Sequence, residues 1–118
     1  MRHQVRKNKL NRAGSQRNAL VKTLAAQVIQ YEHVDTTNAK ARVVSSVIDH
    51  IITIGKKKDL HARRLLMKEL YSELAVKKVL EVLADRYKDR PSGFTSIVKI
   101  GERHGDRAEI VRIMLVEE

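Results

Sequence analysis

The first 31 residues of the chain contain seven Lys and Arg side chains (Arg2, Arg6, Lys7, Lys9, Arg12, Arg17 and Lys22) and no Asp or Glu. A one-signed segment at a terminus repels itself, so it gains little from folding alone. Residues 1 to 14 offer only Val5 and Leu10 as bulky apolar groups. The other 87 residues carry 17 basic and 14 acidic groups, a net of only +3, so most of the formal charge of +10 comes from one end. The chain therefore divides into a basic N-terminal arm, residues 1 to 14, and one domain over residues 15 to 118. Such an arm gains more beside a polyanion than from folding on itself, because each phosphate it neutralises releases condensed counterions. Nucleic acid is the expected partner.

Behind the arm the pattern turns helical. Ser15 is placed to cap a first helix of about 16 to 30, with Leu20, Leu24, Val28 and Tyr31 at helical spacing. Arg17 falls in its first turn, where the helix dipole disfavours a cation unless an anion lies nearby. Val34-Asp35-Thr36-Thr37 is short and β-branched and reads as a brief strand. Thr37 or Asn38 can cap a second helix with the stripe Val43, Val44, Val47, Ile48, Ile51 and Ile52, stopped at Gly55. Asp59 opens a third helix (Leu60, Leu65, Leu66, Leu70), and Ser72 caps a fourth (Val76, Val79, Leu80, Leu83, Tyr87). Pro91-Ser92-Gly93 breaks the helical run. Residues 94 to 100 and 110 to 116 then read as strands joined through residues 101 to 105, the last strand largely buried. The order α-β-α-α-α-β-β predicts an α+β domain of two layers, about four helices packed on a small three-stranded sheet, with an extended basic N-terminal arm.

Several function classes have no support in these residues. There is no Cys, so disulfides, thiolate metal sites and Cys nucleophiles are ruled out. His3, His33, His50, His61 and His104 show no metal-ligand spacing, so no metal or other cofactor is expected. Carboxylates are scattered singly beside Lys or Arg, as in Lys88-Asp89-Arg90, which suits solvated ion pairs. No glycine-rich phosphate loop or nucleophile elbow occurs, and neither an enzyme nor a small-molecule substrate is indicated. No apolar run approaches the ~20 residues of a membrane span. Organelle transit peptides are also Arg-rich and acid-poor, but residues 1 to 14 lack the apolar face they need. With only Tyr31, Tyr71, Tyr87 and Phe94, the chain is also poor in aromatic platforms for stacking single strands.

The candidate RNA contacts are therefore cations. Within the arm they are Arg2, His3, Arg6, Lys7, Lys9 and Arg12, with Asn11 as a neutral partner, followed by Arg17. Beyond it, Lys40 and Arg42, and Arg63 with Arg64, lie near predicted helix starts, where a simple solvated face is the alternative. Lys56-Lys57-Lys58 closes a helix, so dipole compensation explains it as well as RNA does. Arg86, Arg90, Lys99 and Arg103 surround the loop into the hairpin and predict a phosphate site there.

Particular strings carry a resemblance. Met1-Arg2-His3 is followed by Leu10-Asn11-Arg12, Ser15-Gln16-Arg17-Asn18-Ala19-Leu20 and Thr36-Thr37-Asn38-Ala39-Lys40-Ala41-Arg42. Later come Asp59-Leu60-His61-Ala62-Arg63-Arg64, Gly93-Phe94-Thr95 with Ile97 and Lys99, and Arg103-His104-Gly105-Asp106. In this order, and over essentially the whole chain, the series resembles the bacterial large-subunit ribosomal protein L17 family. Gln16 and Ser96 stand where that family more often shows His and Arg. The resemblance implies a structural protein of the cytoplasmic large ribosomal subunit that binds large-subunit ribosomal RNA. It also implies a seat near the mouth of the peptide exit tunnel, beside neighbouring large-subunit proteins. By the same likeness Arg2, His3, Arg12 and Arg17 contact RNA. Contacts to phosphate and 2′-hydroxyl read shape more than sequence. If about five to seven arm cations meet phosphate, log K falls with a slope of roughly −4 to −6 against log salt. The rival reading is a DNA-binding regulator in which the first two helices form a helix-turn-helix and the arm enters a minor groove.

Overall fold

The computed structural model describes residues 14–117. Helix α1 (Gly14–Tyr31) leads into strand β1 (His33–Thr37), helix α2 (Asn38–Gly55) and helix α3 (Leu60–Leu70). Helix α4 (Glu73–Lys78) continues without a break through a π-helical stretch (Val79–Leu83) into a last turn, α5 (Ala84–Arg86). There the Ala84 N–H reaches back five residues to the Val79 carbonyl. Strands β2 (Thr95–Glu102) and β3 (Glu109–Leu115) complete the chain. The sheet is antiparallel throughout, in the order β1-β3-β2. Counting the Glu73–Arg86 rod as one helix, the element order is the predicted one.

Two of the expected caps form as the residue types suggest. Asp59 Oδ1 accepts from the Ala62 N–H at 2.7 Å, and Ser72 Oγ accepts from the Ala75 N–H at 3.4 Å. Thr37 occupies the cap of α2 without a side-chain bond. Ser15 lies inside α1, not at its cap, because the helix already includes Gly14.

The core is where helices α1 to α5 meet the inner face of the sheet. Ile48, Ile51 and Ile52 of α2 pack with Leu66, Val76, Val79, Leu83 and the rings of Tyr87 and Phe94. Those rings lie 5.1 Å apart at a tilt of 48°, a favoured aromatic geometry. The Tyr87 hydroxyl donates to the Val116 carbonyl. Val111, Ile113 and Leu115 of β3 point inward, as their alternation predicts. On α1 the predicted stripe is rotated. Val21, Ala25, Ala26, Val28 and Ile29 are buried, whereas Leu20 and Leu24 are half-buried and Tyr31 is 68% exposed. Small Ala25 and Ala26 face the interior, and a reading weighted toward bulky side chains passes them over. Leu60, assigned to the core of α3, is 62% exposed, and Ala62 takes the inward position.

Gly55 ends α2, but not through a left-handed backbone. A Cβ built on it would overlap Val79 Cγ1, so the glycine lets the π-helical stretch press against the end of α2. The hairpin turn falls later than expected, between Glu102 and Glu109, with Gly105 at φ 98°. A bulge at Lys99/Gly101 leaves Ile100 without a partner on β3. Between α1 and α2 stands a strand paired in the sheet, His33 opposite Met114 through Thr37 opposite Ile110. The tight turn of a helix-turn-helix is absent there, which removes the structural basis of the DNA-regulator reading.

Candidate nucleic-acid interface

The domain pairs many of its carboxylates with its own cations. Glu32 is the centre of one cluster. It takes two bonds from Arg86, at 2.7 and 3.1 Å, and one from Lys78 at 2.9 Å. The Arg86 guanidinium and then the Lys78 ammonium hold its carboxyl down at about 2, against a partial opposing effect of burial. Asp35 accepts from Arg112 across the β1–β3 pair at 2.7 and 3.2 Å, and this lowers its pKa. Asp106 accepts from Arg103 at 2.6 Å and from the Ala108 N–H at 3.1 Å, which puts its carboxyl at about 2. Asp85 pairs with Lys58, while Asp49 receives the Phe94 N–H at 3.2 Å.

This pairing sorts the predicted cations. Arg86 is tied to Glu32 and Arg103 to Asp106. Arg90 donates from Nε to the Gly93 carbonyl at 3.0 Å and so braces the loop before β2. Lys56 donates to the Arg90 carbonyl and sits 4.9 Å over the Phe94 ring. Lys99 stands exposed on β2 opposite Val111. Of the four basic groups expected to converge on the hairpin loop, Arg86 and Arg103 thus have acidic partners and Arg90 serves the loop backbone. The side chains of Arg17, Lys40, Arg42, Arg63, Arg64 and Lys99 form no hydrogen bond or ion pair among the described residues. Arg63 and Arg64 are exposed on α3, and Lys40 is half-buried in the first turn of α2. Arg2, His3, Arg6, Lys7, Lys9, Asn11 and Arg12 lie outside the described residues.

Two of the predicted domain cations line one groove. A groove of about 580 Å³ runs between α1, α2 and α3, with Arg17 and Arg42 both lining it. Val21, Val43 and Val47 supply its apolar surface, and Asn18, Ser46, His50 and Glu69 its polar groups. Lys22 also lines it but is engaged, donating to the Lys68 carbonyl and the Tyr71 hydroxyl, both at 3.2 Å. Sequence reasoning did not assemble this groove. In the sequence Arg42 stands beside Lys40, with a solvated face as the alternative, and Val43 and Val47 belong to the apolar stripe of α2. A signal was present: Arg42, Ser46 and His50 repeat at four, which puts three polar groups on one ridge of α2 beside the Val43–Val47 ridge. Among the described residues no His, Asp and Glu group could hold a metal ion. No described helix is long and apolar enough to cross a membrane.

The model of the ribosomal protein L17 family matches residues 20–116. The chain belongs to this family. It is 43% identical over 117 residues to a protein named large ribosomal subunit protein bL17 from Hyphomonas neptunium, covering 99% of this chain and 84% of that relative. The protein of the same name from Syntrophotalea carbinolica is 42% identical over 118 residues, all of this chain and 76% of the relative. That from a Thermoanaerobacter species is 43% identical over 108 residues, 92% of this chain and 96% of the relative. The match takes in α1 from Leu20 onward, all the later helices and the whole sheet, so the L17 family likeness and the α+β domain coincide.

Proposed function

We propose that this member of the L17 family is a structural component of the large subunit of the cytoplasmic ribosome, with no catalytic role, and that large-subunit ribosomal RNA holds it in place. The observation that carries the reading is the near-full-length likeness to relatives named as large-subunit proteins. Charge supports it independently, with 24 basic side chains against 14 acidic ones and several of the acids taken up by internal pairs. On this reading Arg2, His3, Arg6, Lys7, Lys9, Asn11 and Arg12 meet RNA from the arm. Arg17, Lys40, Arg63, Arg64 and Lys99 meet it from the domain. Arg90 and Arg103 contribute charge while fixing the loops on either side of β2. The family likeness further suggests a seat near the mouth of the peptide exit tunnel, against neighbouring large-subunit proteins.

The physical role is to relieve repulsion where RNA segments crowd. Folded RNA brings phosphates together, and a cationic segment between them offsets the cost while its side chains read shape. The test is binding of the full chain to large-subunit RNA across a salt series. A slope of log K against log salt of roughly −4 to −6 is expected. A slope near zero, or failure to co-sediment with large subunits, would refute the assignment. Crosslinking within purified subunits then places the protein, and crosslinks confined to RNA and proteins remote from the tunnel mouth would remove that part of the reading.

A further inference from the structure

The groove between α1, α2 and α3 combines features that an ordinary solvated face does not. Arg17 and Arg42 arrive from different helices, and neither side chain has a hydrogen bond or ion pair among the described residues. Arg17 stands near the start of α1, whose first turn contains no acid, so an anion would be favoured there and that turn supplies none. The same lining includes apolar surface: Val21 is buried, and Val43 and Val47 are half-buried. Asn18, Ser46 and His50 add hydrogen-bonding groups, and Glu69 is the single carboxylate on the lining.

We propose that this groove takes one unstacked nucleotide of the RNA, its base against Val21, Val43 and Val47 and its flanking phosphates on Arg17 and Arg42. The inference rests on the RNA-binding reading above. The volume of about 580 Å³ lies in the range of roughly 300–1,000 Å³ typical of sites for single small ligands. A base plane needs an apolar surface on which to lie, while its sugar-phosphate needs cations at the edge; the groove offers both within one opening. An ionised Glu69 accepts hydrogen bonds and donates none, so it favours a base edge that presents an exocyclic amino group, as a carboxylate does toward cytosine N4. The chain's own basic arm is a poor occupant, because its cations would meet Arg17 and Arg42.

The test uses the full chain and two RNA hairpins, identical except for a single bulged cytidine in one. The bulged hairpin binds about tenfold tighter, because one base face leaves water for the apolar side chains of the groove. Amide resonances of Ser46, Val47 and His50 shift on titration. Ser46→Glu, at an exposed helical position, erases the tenfold advantage yet changes affinity for the fully paired hairpin less than about twofold. Replacing the bulged cytidine by uridine weakens binding several-fold, and Glu69→Gln removes that discrimination. Equal affinity for both hairpins, an advantage that survives Ser46→Glu, or shifts confined to other surfaces would overturn the proposal while leaving RNA binding intact. Failure of both hairpins to bind would instead sink the RNA reading and the groove with it. If a Glu-rich peptide moves the groove amides and the bulged hairpin does not, the groove is a protein-docking surface and the assignment is wrong.

Discussion

Glu32 shows how one residue can be placed against its backbone preference. It adopts φ 67°, a region where glycine is the usual choice. The side chain is what justifies the position, since it receives both Arg86 and Lys78 at the corner between α1 and β1. Its carboxyl is held at about 2 against an ordinary value of 4.5. The folded form therefore stays ionised where the unfolded chain begins to protonate. The contribution of the cluster is fully present above pH 4.5 and is lost as pH falls toward about 2. Glu32→Gln is expected to lower stability at neutral pH and to flatten the acid limb, read by urea unfolding at a series of pH values. An acid limb as steep as that of the parent would show that other groups set it. Gly55 is a second such residue. Because a Cβ there meets Val79, Gly55→Ala is expected to cost about 1–3 kcal/mol by overpacking, although an alanine in a helix is ordinarily preferred to a glycine. A gain in stability on urea unfolding would mean that Val79 simply moves aside.

At the scale of elements, short-range chemistry is readable and facing is not. Asp59 and Ser72 are followed by helical apolar spacing, and both cap the helices they precede. Asp59→Ala is expected to lower stability by about 1 kcal/mol, with a drop in Tm on thermal melting followed by circular dichroism. No change in Tm would show that tertiary packing, not the cap, fixes the start of α3. The alternation of Val111, Ile113 and Leu115 likewise marks the inner face of β3 without reference to any partner. The face of α1 escapes the same treatment because Ala25 and Ala26 carry little hydrophobic signal, yet they sit where close packing requires small side chains. The turn of the β2–β3 hairpin lies later than its polar residues suggest, for a related reason. Glu102 is polar but still pairs with Glu109 in the ladder, and the bulge at Ile100 shifts the register in a way that period-two reasoning does not anticipate.

For the whole molecule the central expectation is a division of labour between arm and domain. Removing residues 1–13, which stops short of the start of α1 at Gly14, is expected to leave the circular dichroism spectrum and Tm nearly unchanged. The same truncation should make the salt slope of RNA binding shallower by roughly one for each phosphate that the arm no longer neutralises, and should block incorporation into large subunits. A truncated chain that unfolds would show that the N-terminal segment belongs to the domain. One that binds RNA with an unchanged slope would move the interface wholly onto the helices. Internal pairing sharpens the contrast. Cations such as Arg86, Arg112 and Lys58 are matched at home, so charge counted along the sequence overstates what the domain offers to phosphate.

What the sequence determined by itself was whatever depends on neighbours along the chain. That includes the sign of the N-terminal charge, the succession of helices and strands, the caps, and the strings that resemble the L17 family. Periodicity and local hydrogen bonding act over a few residues, so they are written in order. Tertiary structure alone decided which cations remain unpaired, why Gly55 must lack a side chain, and that Arg17 and Arg42 share one groove. Each of those depends on residues brought together from distant positions, and the free energy of an ion pair or a close contact is set by distance in space, which no count along the chain contains.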